Sequence, residues 1–358
     1  MLPHPARRTR LIESLPDTVD AMLISSLVNI RYLTGFTGSN AALLVPRDGD
    51  PLVATDGRYV TQIAAEAPDV ECVESRTVGP ALAGRARARR LRRLGIEAAV
   101  VTIAGRQALL DVVGDAVDLI AMDPLVEPLR AVKDDQEIER LATACAITDA
   151  AFADVITRLR PGVTELDVSW WLVEAFRAHG AEGAAFESIV AFGPHSAIPH
   201  HRPTDRKLAE GDLVKLDIGA RYAGYHADMT RTIVVGAPTT WQRDLHATVA
   251  GIQAGCVADA VVGAVPAELD RRCTEAIEAS GHRAAHGLGH GVGLVIHEDP
   301  FLTPGSTAGP LVDHSVVTVE PGIYLPDLGG VRVEDTVVIE SRGPRVLTVS
   351  SRELLEVG

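Results

Sequence analysis

The stretch LDIGARYAGYHAD puts two carboxylates, Asp217 and Asp228, inside sequence that otherwise reads as β structure. Leu213–Ala220 and Tyr225–Val235 are rich in β-formers, and Ala223–Gly224 is the natural place to turn, so the unit reads as a hairpin. With a turn centred on Tyr222 and Ala223, Asp217 faces Asp228 across the ladder. Opposed residues project from one face with Cβ atoms about 5 Å apart, where like charges are destabilising. Such a pair calls for positive charge between its members.

Three later segments can add to that site. HGLGHGVGLVIHE, His286 to Glu298, opens with four glycines in eight residues, and each would cost roughly 1 kcal/mol in a helix. His286 and His290 are therefore no helical metal pair; they lie where the backbone approaches something closely. SVVTVEPGIYL and GGVRVEDTVVI are β-patterned and each carries one carboxylate among apolar residues, Glu320 and Glu334. Burying such a group is costly unless it is paired or metal-bound. Two Asp, two Glu and a His supply the hard oxygen ligands and the imidazole that suit Mn²⁺, Co²⁺ or Zn²⁺ in a two-metal site.

The elements around these residues fall into two domains. Up to about residue 124, strand-like runs (DAMLI, AALLV, PLVATD, VECVES, AAVVTI, VDLIAMD) alternate with helix-like YVTQIAAEA and ALAGRARARRLRRLG, which reads as one α/β domain. A helical pattern then starts near Asp134 with an acidic first turn, so the boundary falls near 130, giving domains 1–130 and 131–358. Within the second, residues 160–180 and 262–281 echo each other as turn, Glu-Leu-Asp helix start, amphipathic helix and terminal Gly. In the first helix Leu166, Trp170 and Val173 share a face; in the second, Leu269, Cys273 and Ile277 do. Strand-rich sequence follows each, so the domain reads as two similar αβ halves.

Composition removes other classes. The 358 residues, 46% hydrophobic and 23% charged, describe a globular protein with a sizeable core, and 34 basic against 48 acidic side chains (net charge −14) disfavour a nucleic-acid partner. Cys72, Cys145, Cys256 and Cys273 are scattered without a CxxC, as in reduced cytosolic proteins. The first twenty residues lack an apolar leader core, and no apolar run reaches the roughly 18 residues of a membrane span. A cytoplasmic protein without membrane association is expected, and the absence of a GxGxxG after a strand argues against a dinucleotide-binding enzyme.

Asp217, Asp228, His290, Glu320 and Glu334, with HGLGHGVGLVIHE and VEPG around them, resemble the pita-bread metallopeptidases: methionine aminopeptidase, aminopeptidase P and prolidase. The resemblance covers essentially the whole chain, and IPHHRP aligns it with the Xaa-Pro branch. It implies an α/β N-terminal domain of creatinase/prolidase type, followed by an α+β pita-bread catalytic domain with an internal pseudo-twofold repeat. It further implies two divalent metal ions, manganese foremost with cobalt or zinc as alternatives. On this resemblance Asp217 chelates one ion, His290 and Glu320 hold the other, and Asp228 and Glu334 bridge them. Glu320 is also the general base, His200 and His297 contact the scissile region, and Arg332 matches an arginine of the Xaa-Pro branch. The implied protein is a homodimeric exopeptidase acting on proline-containing peptides, with hydroxide generated from a metal-activated water.

The strict prolidases of this family present an arginine between the catalytic histidine and the VEPG glutamate, to meet the carboxylate of a terminal proline. From Ala284 to Val331 this sequence has no Lys or Arg. That gap favours Xaa-Pro aminopeptidase-like cleavage of longer peptides over strict Xaa-Pro dipeptidase activity, which stands as the alternative. A non-enzymatic or creatinase-like relative is disfavoured by the complete ligand set, and a methionine aminopeptidase by the N-terminal domain and Arg332.

Overall fold

The computed structural model describes residues 4–358; Met1–Pro3, the first residues of the segment read as lacking a leader core, lie outside them. Contacts divide the chain into two units, one ending at Arg130 and the other beginning at Ala131.

In the first unit β1 (Ala21–Ile24), β2 (Ala41–Pro46), β3 (Leu52–Thr55), β4 (Glu71–Glu74), β5 (Arg93–Glu97) and β6 (Asp118–Met122) form one mixed sheet ordered β4-β3-β2-β1-β5-β6. Helix α1 (His4–Ser14) precedes the sheet, α2 (Leu27–Thr34), α3 (Val60–Glu66), α4 (Val78–Ala88) and α5 (Ile103–Val113) lie between successive strands, and α6 (Glu127–Ala131) ends at the division. The β-rich run AAVVTI, expected as a strand, is not one. Leu94 and Ile96 of β5 pack into the core beside Leu82, Ala86 and Leu109, whereas Ala98–Val100 is exposed. Packing of alternate side chains, not the local content of β-branched residues, selected the strand.

The second unit repeats one pattern twice. Helix α7 (Asp135–Ile156) starts at Asp134, whose carboxylate accepts from Glu137 N at 2.9 Å while Glu137 returns the bond to Asp134 N at 3.0 Å. Helix α8 (Glu165–Ala178) starts at the same device built from Thr164 and Asp167. There follow β7 (Gly183–Ala184), β8 (Ile189–Phe192), β9 (Leu213–Ile218), β10 (Ala220–Tyr222), β11 (Tyr225–His226) and β12 (Met229–Val235). The second half opens with α9 (Thr240–Asp259) and α10 (Pro266–Ala279), then β13 (Gly289–Gly291), β14 (Glu298–Leu302), β15 (Val316–Val319), β16 (Gly322–Leu325), β17 (Gly329–Arg332), β18 (Asp335–Glu340) and β19 (Gly343–Val346). A last strand, β20 (Glu356–Val357), joins the first half's sheet, ordered β20-β12-β9-β8; the second half's sheet is β14-β13-β15-β18-β19. Each helix pair covers its own sheet through its own apolar core.

Two local expectations change. On α8 the face of Leu166, Trp170 and Val173 is the exposed one, Trp170 at 67%. Val168, Leu172, Ala175 and Phe176 point inward with Glu165, while on α10 Leu269, Cys273 and Ile277 are buried as expected. Two apolar stripes competed on α8, and the inner one is shared with Glu165, whose carboxylate has five donors to meet (below). The hairpin turn falls on Ala223 and Gly224, with φ of 48° and 80°, and pairs Tyr222 with Tyr225. A turn centred on Tyr222 and Ala223 would force the bulkier tyrosine into the left-handed region that glycine occupies freely. Asp217 consequently opposes Thr230, not Asp228.

Candidate active site

The shift of the turn moves the register by two residues, and the side-chain period of a strand is also two, so Asp228 stays on the face of Asp217 as its diagonal neighbour. His290 lies on β13, which is squeezed between β14 and β15. A Cβ at Gly289 would collide with the Thr318 carbonyl, and one at Gly291 with the Asp299 carbonyl. That close approach is why the run is glycine-rich. His290 N donates to Thr318 Oγ1 at 3.0 Å and the ring's Nδ1 donates to Gly291 O at 3.0 Å. The backbone thereby fixes the tautomer and leaves the Nε2 lone pair 3.5 Å from both Asp228 Oδ2 and Glu320 Oε1. Glu320 follows β15, and Glu334 lies between β17 and β18, accepting from Thr230 Oγ1 at 2.6 Å.

Asp228, His290 and Glu334 bring one ligand atom each to within 4.8 Å of one another. Burial, then repulsion from neighbouring carboxylates, pushes the Asp228 and Glu334 carboxyls far above their ordinary range, and burial pushes Glu320 up to about 8. Burial holds the His290 imidazole neutral, its pKa down at about 4. Asp217 Oδ1 is buried without a hydrogen-bond partner. Crowded carboxylates, a neutral imidazole with a free lone pair and an orphaned oxygen together fit divalent cations, and the donor set is that of a dinuclear metal cofactor site.

A second convergent group, Glu165, His195 and His201, is built differently. Glu165 accepts from Phe192 N at 2.9 Å, His195 Nδ1 at 2.9 Å, His201 Nε2 at 2.8 Å, and Thr204 N and Oγ1 at 2.9 and 2.7 Å. Its oxygens are satisfied at hydrogen-bond distances. The group is a staple that ties the loop of residues 193–206 to the start of α8.

All five candidate ligands, together with His200 and His297, line a single cavity of about 330 Å³. His297 reaches it because β13 and β14 run antiparallel, with Gly291 opposite Glu298 and the chain bending through 292–297. Its ring meets that of His290 edge-on, centroids 4.4 Å apart. Arg332 does not line the cavity. It is 1% exposed and lies behind Asp217, bonded to that carboxylate, to Thr230 Oγ1 at 3.0 Å, to Tyr324 Oη at 2.8 Å and to Pro199 O at 3.2 Å.

Residues not anticipated from sequence support this constellation. Lys215, on β9 and on the same strand face as Asp217, is fully buried; burial, then the Arg332 charge, lowers its pKa to about 6. Its Nζ donates to Ile198 O at 2.6 Å and Pro199 O at 3.2 Å, just before His200. A lysine inside the apolar run LVKLDI was the available signal. Buried Lys133 pairs with Glu298 at 3.0 Å, anchoring the residue after His297.

Comparison with known proteins agrees with this geometry. Residues 139–341 match the model of metallopeptidase family M24, and residues 7–132 match that of the creatinase/prolidase N-terminal domain. An uncharacterized peptidase of Bacillus subtilis, YqhT, is 38% identical over 94% of this chain and 96% of its own. The solved Xaa-Pro dipeptidase from Bacillus anthracis superposes with a TM-score of 0.94 at 34% identity, covering 99% of this chain and 100% of the other. The X-Pro aminopeptidase from Thermotoga maritima gives 0.90 at 33% identity, covering 98% and 100%. Further similar proteins are named Xaa-Pro dipeptidase or prolidase. The chain belongs to metallopeptidase family M24: it has the pita-bread fold behind a creatinase/prolidase-type domain and is a metal-dependent hydrolase. Among the described residues no helix is long and apolar enough to cross a membrane.

Proposed function

We propose that this member of family M24 is an Xaa-Pro dipeptidase, an exopeptidase that splits the bond between an N-terminal residue and a terminal proline. The lack of Lys and Arg between Ala284 and Val331 favoured longer peptides. Against that, the similar proteins with specific names are mostly dipeptidases or prolidases. The observation that carries the reading is the cavity of about 330 Å³, which gathers all five candidate ligands with His200 and His297 and has room for a dipeptide.

Asp217, Asp228, His290, Glu320 and Glu334 would hold two divalent cations, manganese being our choice, which supply a lowered water pKa and polarisation of the scissile carbonyl. Glu320 accepts the proton of the attacking water. His200 and His297, exposed on the cavity lining, donate hydrogen bonds to the oxygen on which charge develops. Phe186, Ile189 and Ile296 give the same cavity an apolar wall for the pyrrolidine ring. Arg332 acts from behind as a positioning residue: it holds one oxygen of Asp217 and leaves the other free, and through Thr230 it steadies Glu334. A cytoplasmic homodimer completes the proposal, on cysteine usage and on the family resemblance.

The test is product analysis of the metal-loaded protein with Xaa-Pro dipeptides and Xaa-Pro-Yaa tripeptides. The reading expects kcat/KM for dipeptides to exceed that for tripeptides by about tenfold or more. Equal or better cleavage of tripeptides would return the function to the aminopeptidase alternative.

A further inference from the structure

A dipeptidase must tell a free proline carboxylate from a continuing peptide bond, and a carboxylate is read best by a guanidinium. Arg332 cannot do this, because it is buried behind Asp217. One cationic side chain does line the cavity. Arg202 is the only Lys or Arg among its lining residues, is exposed, and forms no hydrogen bond or ion pair among the described residues.

The root of this side chain is fixed although its tip is free. On one side, Lys215 and Arg332 hold the carbonyls of Ile198 and Pro199. On the other, Glu165 takes His201 at 2.8 Å and Thr204 N at 2.9 Å, and Thr204 O accepts from Leu166 N at 3.1 Å. Pro203 restricts residue 202 to extended backbone. Between these anchors the chain alternates, with His200 exposed, His201 buried and Arg202 exposed. All three line the cavity, His201 held against Glu165 and His200 and Arg202 with exposed side chains.

We infer that Arg202 is the specificity-determining residue that binds the free α-carboxylate of the substrate's proline. The inference rests on the dipeptidase reading. In an Xaa-Pro substrate the carboxylate lies one residue beyond the scissile bond, and Arg202 lies two residues beyond His200, which we assign to that bond. The unpartnered guanidinium loses no protein contact when it turns to the ligand, and it supplies the cation that the segment Ala284–Val331 lacks.

The experiment compares an Xaa-Pro dipeptide as free acid with the same dipeptide as its C-terminal amide, using the metal-loaded wild type, Arg202→Ala and Arg202→Lys. The wild type should prefer the acid. Arg202→Ala should lose about 10- to 100-fold in kcat/KM on the acid, mainly through KM, as expected for one charge-assisted contact. Its rate on the amide should stay within about twofold, with metal content unchanged, and Arg202→Lys should recover part of the preference. An Arg202→Ala enzyme that keeps the wild-type preference for the acid, or that loses equally on acid and amide, overturns the role of Arg202 and leaves the dipeptidase reading intact. A wild type that takes acid and amide equally well overturns the dipeptidase reading, and this inference with it.

Discussion

Glu334 and Asp335 are neighbours in sequence, both almost wholly buried, and the fold treats them oppositely. Asp335 receives Arg231 at 2.8 Å, Gln253 at 2.7 Å, Thr348 at 2.7 Å and Arg352; despite its burial these cations hold its carboxyl below the ordinary range. The Glu334 carboxylate has Thr230 Oγ1 as its one hydrogen-bond partner among the described residues, and burial followed by the neighbouring Glu320 and Asp217 drives its carboxyl upward. One carboxylate carries its counter-charge within the chain; the other is the one we propose receives it from a divalent cation.

The pair predicts opposite mutant behaviour. Asp335→Asn breaks a buried ion pair and should lose about 3–5 kcal/mol of unfolding free energy. Glu334→Gln replaces a carboxyl whose charged form burial and its neighbours oppose, so its metal-free form should be at least as stable as metal-free wild type while metal occupancy falls. Urea denaturation of chelated protein, with metal analysis, checks both; a Glu334→Gln protein that keeps full occupancy contradicts the assignment.

Lys215→Met should act on turnover through the His200 loop. The variant keeps the apolar length of the side chain but leaves the carbonyls of Ile198 and Pro199 without their donor. Small misplacements of catalytic groups cost up to about 10²-fold, and a 10- to 100-fold fall in kcat with normal metal content is expected. Unchanged kcat would mean that His200 needs no such support.

His297→Ala should keep its metals and much of its substrate affinity while kcat falls by about 10² to 10³, the loss typical of one oxyanion donor. Metal loss in this variant would make His297 a ligand or a structural support, and near-normal kcat a bystander.

Away from the site, burial, with Arg231 adding, pushes His246 down to about 4. The unfolded chain takes up this proton near pH 6.5 and the folded one near 4, so stability is full above about pH 6.5 and falls as pH drops through that window. His246→Gln should therefore lessen the stability difference between about pH 7.5 and pH 5 by on the order of 2 kcal/mol. Denaturant midpoints of the metal-free proteins report it; an unaltered pH dependence would assign the loss to other groups.

What the sequence made legible follows from how far each signal reaches along the chain. The hairpin with Asp217 and Asp228, the capped start of α7 at Asp134, and the β-patterned segments with Glu320 and Glu334 are local, and periodicity exposes them. The register differs from the expected one by a single two-residue step, because Ala223 and Gly224 accept the left-handed turn positions more easily than Tyr222, yet the strand's period keeps both aspartates on one face. The inner face of α8 was hidden because two apolar stripes compete there and only Glu165, through its contacts with His195, His201 and Thr204, decides between them. Arg202 is not legible as a cavity cation from the sequence alone, because the cavity draws its lining from residues far apart along the chain.

The most direct test of the metal centre follows proline release from an Xaa-Pro dipeptide as a verified metal-free preparation is titrated with Mn²⁺, alongside Asp228→Asn. The account predicts no hydrolysis before metal is added, activity that rises to a plateau with two ions bound per chain, and neither stable binding nor turnover in the variant. Full activity in the metal-free protein, or a variant that retains two ions and normal turnover, would contradict it.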